Sequence, residues 1–307
     1  MTFETIRYEP PADGVARIIL ARPEVRNAQN KQMLYEINDA FDTAARDDRV
    51  KVVILSADGP HFSSGHDLTD IDPHNDHRPV GCWGGFDLPG AEGWMAMEEE
   101  LYLGLCWRWR NFPKPTIAQV HGKVIAGGLM LVWICDLVVA ADDTEFSDPV
   151  VAFGVNGHEF FVHPWEVGPR KAKEMLFTGE PISAATALTL GMANHVVPRD
   201  ELARFTHHLA RQIATRPTMG LKLAKQAVNQ ALDAQGQWSA VQAAFSLHEL
   251  GHSHNMQLYG APLHPDGAAV IRQRRAPVVV SSAEGDVGSP DGRARGLRLS
   301  GSVPSAG

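Results

Sequence analysis

Short apolar runs that alternate with helical segments constrain the fold of this 307-residue chain most strongly. The runs are rich in Val and Ile and end in turn residues, as buried strands do. They are Ala16–Leu20, Val50–Ser56, Thr116–Val120 and Leu137–Ala140. Between the first two runs, Asn30–Arg46 places its apolar residues at helical spacing. This alternation predicts an α/β protein whose sheet is largely buried.

The second part of the chain has a different pattern, with helical periodicity and no intervening strands. The predicted helices are Glu201–Thr215, Met219–Leu232 and Gln237–Leu258. We therefore predict a core over residues 1–200 and a C-terminal helical region over residues 201–275. Residues 276–307 are rich in Ser, Gly, Ala and Pro, a composition that predicts a disordered tail.

The composition of the chain argues against several classes of binding partner. The formal net charge of −8 argues against non-specific nucleic-acid binding. No signal peptide is recognised, and the longest apolar stretch, near Leu129–Ile134, is too short to span a bilayer. Cys82, Cys106 and Cys135 lack disulfide or metal spacing, so a reducing cytoplasm is expected. We predict no metal site and no membrane or nucleic-acid partner.

Two glycine-bearing turns each follow a predicted strand. They are "HFSSGHDL" at residues 61–68 and "HGKVIAGGLM" at residues 121–130. Two such turns placed side by side could aim two backbone N–H groups at one oxygen atom, which is the arrangement of an oxyanion hole. The spacing alone fits two ordinary tight turns equally well. Neither turn has the sequence of a phosphate-binding loop, and the chain has no GxSxG elbow.

Several segments in the same order resemble the crotonase superfamily, the enoyl-CoA hydratase/isomerase family. They are "ARPEVRNAQN" (21–30), "FSSGHDL" (62–68), "VHGKVIAGGLMLVWICDLVVA" (120–140), "FSDPV" (146–150) and "GEPISAATALTLGMANHVVPRDEL" (179–202). The resemblance implies an α/β spiral of ββα turns followed by C-terminal trimerisation helices, and a homotrimer or dimer of trimers. It also implies an acyl-CoA thioester as substrate, with coenzyme A as part of that substrate and no separate cofactor.

The resemblance also assigns roles to individual residues. The backbone N–H groups of His66 and Gly127 would form the oxyanion hole that holds the thioester carbonyl. The coenzyme A contacts would fall on Arg26, Ala28, Ser64 and His66.

Two residues depart from the pattern of the hydratases in this family. The two glutamates that position water in those enzymes would fall at Met130 and Val150. Methionine and valine cannot transfer protons, so ordinary two-glutamate hydration is not expected. The candidates for an alternative acid or base are Asp148, His158 and Glu159. We predict an isomerase, a lyase or hydrolase, or an atypical hydratase; the alternative is a catalytically inactive acyl-CoA-binding or scaffolding subunit.

Two further predictions concern the pocket for the acyl group and the histidines of the last long helix. Met130 and Val150, together with Trp83 and Phe86 of the long loop near residues 70–93, are predicted to line the acyl pocket. The histidines of "HELGHSHN" at residues 248–255 have helical spacing but no HExxH motif. We predict that they lie on a solvated or intersubunit helix.

Overall fold

A computed structural model describes residues 3–273 of the chain, except residues 71, 73 and 82. The strands are β1 Ile6–Ala12, β2 Val15–Leu20, β3 Val52–Ala57, β4 Thr116–Val120, β5 Lys123–Ile125, β6 Leu137–Ala141, β7 Glu145–Ser147, β8 Ile182–Ser183 and β9 His195–Val197. The first helices are α1 Lys31–Arg46, α2 Ala91–Glu98, a π-helix Glu99–Gly104, α3 Leu105–Arg110, α4 Gly127–Trp133 and α5 His163–Thr178. The later helices are α6 Ala184–Leu190, α7 Leu202–Ala214, α8 Thr218–Ala234, α9 Gln237–Tyr259 and α10 Gly267–Arg272. Short 3-10 helices span Pro23–Val25, Val150–Phe153 and Arg199–Glu201.

The strands form two sheets that together build a spiral. The larger sheet has the order β1-β2-β3-β4-β6-β9 and is parallel except for the β1/β2 pair. The smaller sheet has the order β5-β7-β8. The chain passes from β4 in the large sheet to β5 in the small sheet and then to α4, and it repeats this path through β6, β7 and α5. These repeats confirm the predicted α/β spiral of ββα turns.

Both faces of the large sheet are covered, which explains why its central strands read as nearly continuous apolar runs. One face packs on the main core, which includes the apolar side of α1. The other face carries Val52, Ile54 and Ile117 and is covered by Leu202 and Ala210 of α7. The first C-terminal helix therefore belongs to the same packed core as the strands.

The helices after α7 are packed differently. Helix α8 has no buried residue, and α8 and α9 expose several large apolar side chains. No helix among the described residues is long and apolar enough to cross a membrane. The predicted tail at residues 276–307 lies outside the described residues.

Candidate active site

The two glycine-bearing turns lie against each other because backbone hydrogen bonds join them. The N–H of Ile125 donates to the carbonyl of Ser63 at 3.0 Å, and the N–H of Ser63 donates to Lys123 at 3.3 Å. On the other side, the N–H of Gln29 donates to Gly65 at 2.8 Å, and the N–H of Asp67 donates to Gln29 at 2.9 Å. The first turn is therefore held between the 21–30 segment and the second turn.

Close backbone approach explains the glycines in these turns. Gly65 has φ +89°, and a Cβ atom there would lie 2.9 Å from the carbonyl oxygen of Ile125 and 3.2 Å from the nitrogen of Gly127. Within the second turn, Ala126 has φ 47° and ψ −111°, which is unusual for a residue with a side chain. Such strain costs on the order of 1–3 kcal/mol and is concentrated at functional sites. This junction is therefore a candidate for chemistry.

Two backbone donors at this junction are available to a ligand. Within the described part of the chain, the N–H groups of His66 and Gly127 have no hydrogen-bond acceptor. Gly127 begins α4, so its N–H has no partner within that helix. The turns containing His66 and Gly127 border a cavity of about 290 Å³, with Ser64, His66, Ile125 and Ala126 in its wall. The geometry therefore fits the predicted pair of oxyanion donors.

Glu159 lies in the wall of this cavity, next to the first turn. Its Oε1 is 3.7 Å from Nδ1 of His66 and 3.6 Å from Nε2 of His248. Its Oε2 has no hydrogen-bond partner among the described residues. Burial, reinforced by the negative charge of Glu98, raises the pKa of Glu159 well above its usual value. The cavity wall therefore includes a buried carboxyl group with one oxygen that has no hydrogen-bond partner among the described residues.

The imidazole of His66 is fixed in place beside Glu159. It stacks on the ring of Tyr102, with the ring centroids 3.8 Å apart and the planes 11° apart. Tyr102 belongs to the π-helix, a distortion often found at functional sites. Burial lowers the pKa of His66 to about 4, so its imidazole is neutral at pH 7. Its contact with Glu159 is therefore not an ion pair at that pH.

Asp148 and His158, the other candidates for acid–base chemistry, have different surroundings. Asp148 is fully buried, and its Oδ2 accepts hydrogen bonds from Nε2 of His163 at 2.8 Å and from the N–H of His158 at 3.0 Å. Burial alone would raise the pKa of Asp148, but the His163 hydrogen bond and nearby histidines lower it. Asp148 is not in the cavity wall, whereas His158 is. This placement favours a role for Asp148 in holding the 158–163 loop.

The imidazole ring of His158 is uncharged and makes no hydrogen bonds through its nitrogens among the described residues. Neither ring nitrogen of His158 has a hydrogen-bond partner among the described residues. Burial lowers the pKa of His158 well below its usual value, so the ring is neutral. It packs beside the rings of Trp133 and His163, with centroid distances of 5.2 Å and 4.5 Å.

A cluster that the sequence analysis did not predict completes the cavity wall. His248 and His252 of α9 lie beside Glu98, the last residue of α2, and all three are buried. For these two histidines the prediction of a solvated helix is therefore wrong, because this face of α9 packs inward. The intersubunit alternative for α9 stays a prediction. Burial alone would raise the pKa of Glu98, but the hydrogen bond with His252 and the charges of both histidines lower it to about 2.

The predicted coenzyme A residues lie close together at the first turn. The N–H of Ser64 donates to the carbonyl of Arg26 at 3.0 Å. Arg26 is exposed, and Ala28 is nearly buried under the same segment. Ser64 and His66 line the cavity. The arrangement leaves the cationic side chain of Arg26 exposed, next to Ser64 of the cavity wall.

The predicted acyl-pocket residues lie in three different environments. Val150 is in the cavity wall. Met130 is 1% exposed, packs in the main core and is not among the residues of the cavity wall. The structure also corrects the placement of the loop aromatics: Trp83 is 56% exposed, and Phe86 is buried in the core. The aromatic side chains that line the cavity include Trp94, Tyr102 and Phe153.

Comparisons with known proteins support the same fold and show the family. A family model described as enoyl-CoA hydratase/isomerase matches residues 11–261. The chain is 48% identical over 269 residues to a putative enoyl-CoA hydratase, EchA13, of Mycobacterium tuberculosis, covering 85% of each chain. It is 38% identical over 212 residues to the human mitochondrial enoyl-CoA hydratase domain-containing protein 3, covering 68% of this chain and 65% of that protein. A crystal structure of a probable enoyl-CoA hydratase from Mycobacterium smegmatis matches with TM-score 0.77 and 46% identity, covering 85% of this chain and 99% of that one.

Proposed function

The chain belongs to the enoyl-CoA hydratase/isomerase family, and from this we propose that it moves a proton along the acyl chain of a coenzyme A thioester. The observation that carries the proposal is the position of Glu159. Glu159 lines the same cavity as the turns that present the N–H groups of His66 and Gly127, and its Oε2 has no hydrogen-bond partner among the described residues. In this proposal the reaction is double-bond isomerisation, not the addition of water.

The oxyanion pair activates the substrate. The thioester carbonyl oxygen accepts hydrogen bonds from the N–H groups of His66 and Gly127. Removal of a proton from the α carbon converts the thioester into an enolate, whose negative charge develops on that oxygen. A preorganised donor of this kind contributes about 100- to 1000-fold to the rate. Because α4 has only seven residues, the two N–H groups carry this role without a long helix dipole.

Glu159 is the group that carries the proton. Its carboxylate takes a proton from the α carbon of a 3-enoyl thioester, and the electron pair of that C–H bond enters the enolate. The resulting carboxylic acid exchanges its hydrogen with water and then donates a hydrogen to the γ carbon, so that deuterium enters the product in D2O. The double bond thereby moves from C3 to C2, with no net gain or loss of atoms. One carboxyl group is sufficient for both steps because it acts first as base and then as acid.

The residues at positions 130 and 150 support isomerisation over hydration. By the family resemblance, the two carboxylates that hold water in hydratases would fall at Met130 and Val150. Met130 is packed in the core, and Val150 presents an apolar surface to the cavity. All three similar proteins reported above have hydratase in their printed names, but neither position 130 nor position 150 supplies a carboxylate in this chain.

Substrate binding and location form part of the same proposal. Coenzyme A enters as part of the substrate and contacts Arg26, Ala28 and Ser64. The proton transfer uses only groups of this chain. Cys106 and Cys135 are free thiols, which supports function in a reducing compartment such as the cytoplasm.

We also propose that the protein forms a homotrimer or a dimer of trimers through α8 and α9. Met219 and Leu223 form an exposed apolar stripe on α8, and Leu247 and Leu250 form another on α9. Exposed apolar area of this kind is typical of interfaces between subunits. Sedimentation equilibrium at micromolar concentration should give a trimer or hexamer, and Leu223→Glu should shift the population towards smaller species. A monomeric native protein would contradict this assignment.

The reaction is tested with a 3-enoyl-CoA and with crotonyl-CoA, both in D2O. We expect the 3-enoyl-CoA to become a 2-enoyl-CoA that carries deuterium, as read by mass spectrometry. We expect crotonyl-CoA to gain no mass corresponding to water. Rapid hydration of crotonyl-CoA would contradict the proposed reaction. Thioester binding without turnover of either substrate would favour a catalytically inactive acyl-CoA-binding or scaffolding subunit.

A further inference from the structure

We propose that Glu98, His248 and His252 form a binding site for a divalent transition-metal ion in the wall of the cavity. Nε2 of His252 lies 2.9 Å from Nε2 of His248 and 3.2 Å from Oε1 of Glu98. Nε2 of His248 lies 3.4 Å from Oε2 of Glu98. These separations are close to those between neighbouring ligand atoms when metal–ligand bonds are about 2.0–2.1 Å long. Two histidines and one carboxylate are a ligand set used by zinc and iron(II).

Local structure brings the three ligands together. His248 and His252 are four residues apart on α9, so their side chains lie on the same face of the helix. That face packs against the end of α2, where Glu98 ends the helix. All three residues are less than 5% exposed. The ligand atoms are therefore held by two packed helices and not by a loop.

In each histidine, the hydrogen bond of Nδ1 determines which ring nitrogen carries the hydrogen atom. Nδ1 of His248 is 2.8 Å from the carbonyl oxygen of Gly157, and Nδ1 of His252 is 2.8 Å from that of Pro262. A carbonyl oxygen can only accept, so both Nδ1 atoms must carry a hydrogen and donate it. Metal-binding histidines are commonly oriented by this kind of hydrogen bond.

This protonation pattern requires a cation between the rings. With both Nδ1 atoms protonated, two neutral rings would point their Nε2 lone pairs at each other across 2.9 Å. That contact is repulsive unless a metal ion or one extra proton lies between the nitrogens. Glu98 adds a carboxylate to the same point, with its Oε1 3.2 Å from Nε2 of His252.

The cavity leaves room for further ligands on the metal. Glu98, His248 and His252 all line the cavity, and Oε2 of Glu98 has no hydrogen-bond partner among the described residues. Three protein ligands with the remaining positions open to a cavity are typical of catalytic metal sites, whereas structural sites are closed. Metal binding is measured without substrate, so its outcome does not depend on the proposed isomerase reaction.

A second group in the described part of the chain supplies a matched control. Asp148, His158 and His163 are also close enough to share an ion. However, Oδ2 of Asp148 is already occupied by His163 and by the N–H of His158, and Asp148 does not reach the cavity. Nδ1 of His163 and both nitrogens of His158 have no carbonyl partner among the described residues. This group lacks the outer hydrogen bonds of the first.

The test measures metal on the full-length protein, without an affinity tag and after treatment with a chelator. Cobalt(II) is titrated in, bound metal is counted by elemental analysis, and the cobalt absorption bands are recorded. We expect one cobalt ion per chain, with bands that indicate histidine ligation, and competition by zinc. Glu98→Gln and His252→Gln should each weaken binding by at least about 100-fold, since even outer-shell changes cost 10- to 100-fold. His158→Gln should bind cobalt as the native protein does.

Melting temperature gives a readout that does not depend on spectra. A metal that binds only the folded protein should raise the melting temperature of the native chain and of His158→Gln, but not of His252→Gln. Circular dichroism establishes that each variant is folded. Absence of stoichiometric cobalt in the native protein would overturn the inference and assign the cation between the rings to a proton. Loss of binding in His158→Gln alone would move the site to the second group and also overturn it.

Discussion

Replacement of Gly127 by alanine is expected to lower kcat/KM for proton exchange on a 3-enoyl-CoA by about 100- to 1000-fold, the loss typical of one oxyanion donor. A Cβ atom at this position would lie 2.6 Å from Cδ2 and Nε2 of His66 and 2.9 Å from Oε1 of Gln29. The His66 ring cannot easily move away because it is stacked on Tyr102. Accommodation of the methyl group must therefore displace one of the two turns that supply the oxyanion donors.

The matched control for this substitution is Gly220→Ala in α8. A Cβ atom at Gly220 would meet no other atom within 4 Å, and alanine favours a helix more than glycine does. This variant should keep the activity of the native protein. If Gly127→Ala is folded and retains activity within about tenfold of the native value, the assignment of the oxyanion hole is wrong.

Replacement of Glu159 by glutamine is expected to lower the same kcat/KM by about 100- to 10,000-fold, the range for loss of a positioned acid–base group. Glutamine keeps the size of the side chain and removes its ability to carry a proton. Deuterium incorporation into the product, read by mass spectrometry, measures the effect. Thioester binding should be affected less than turnover, because the oxyanion donors belong to other segments of the chain.

A surface glutamate supplies the control for that variant. Glu174 lies on α5 and pairs with Lys171 at the exposed surface, so Glu174→Gln should leave exchange unchanged. Exchange at the native rate in a folded Glu159→Gln protein would remove Glu159 from the mechanism. His158→Gln then becomes the informative variant, because His158 is the neighbouring titratable side chain of the same loop and also lines the cavity.

The sequence predicted the central strands and long helices well, because their burial leaves a strong periodic signal. Thr116–Val120 was predicted with the bounds that the structure gives for β4, and α1 begins one residue inside the predicted segment. The strands of the small sheet were missed. With two or three residues each, they are too short to show an alternating pattern.

The site was predictable only where it depends on local sequence. The two turns are predicted from their glycines, and the family resemblance names Glu159 only as one of three candidates for the acid or base, with Asp148 and His158. Glu98 could not be connected with His248 and His252, because 150 residues separate Glu98 from the nearer of the two histidines and no periodic signal links them. The inward orientation of those histidines depends on how α9 packs against α2, which is a property of the tertiary structure.

The most direct test of the account is a crystal structure of the protein with a saturated four-carbon acyl-CoA bound. We predict that the thioester oxygen lies about 2.7–3.1 Å from the backbone nitrogens of both His66 and Gly127. The α and γ carbons of the acyl chain should both face the carboxyl group of Glu159. A thioester oxygen held by other groups, or an acyl chain on the far side of the cavity from Glu159, would contradict the proposed mechanism.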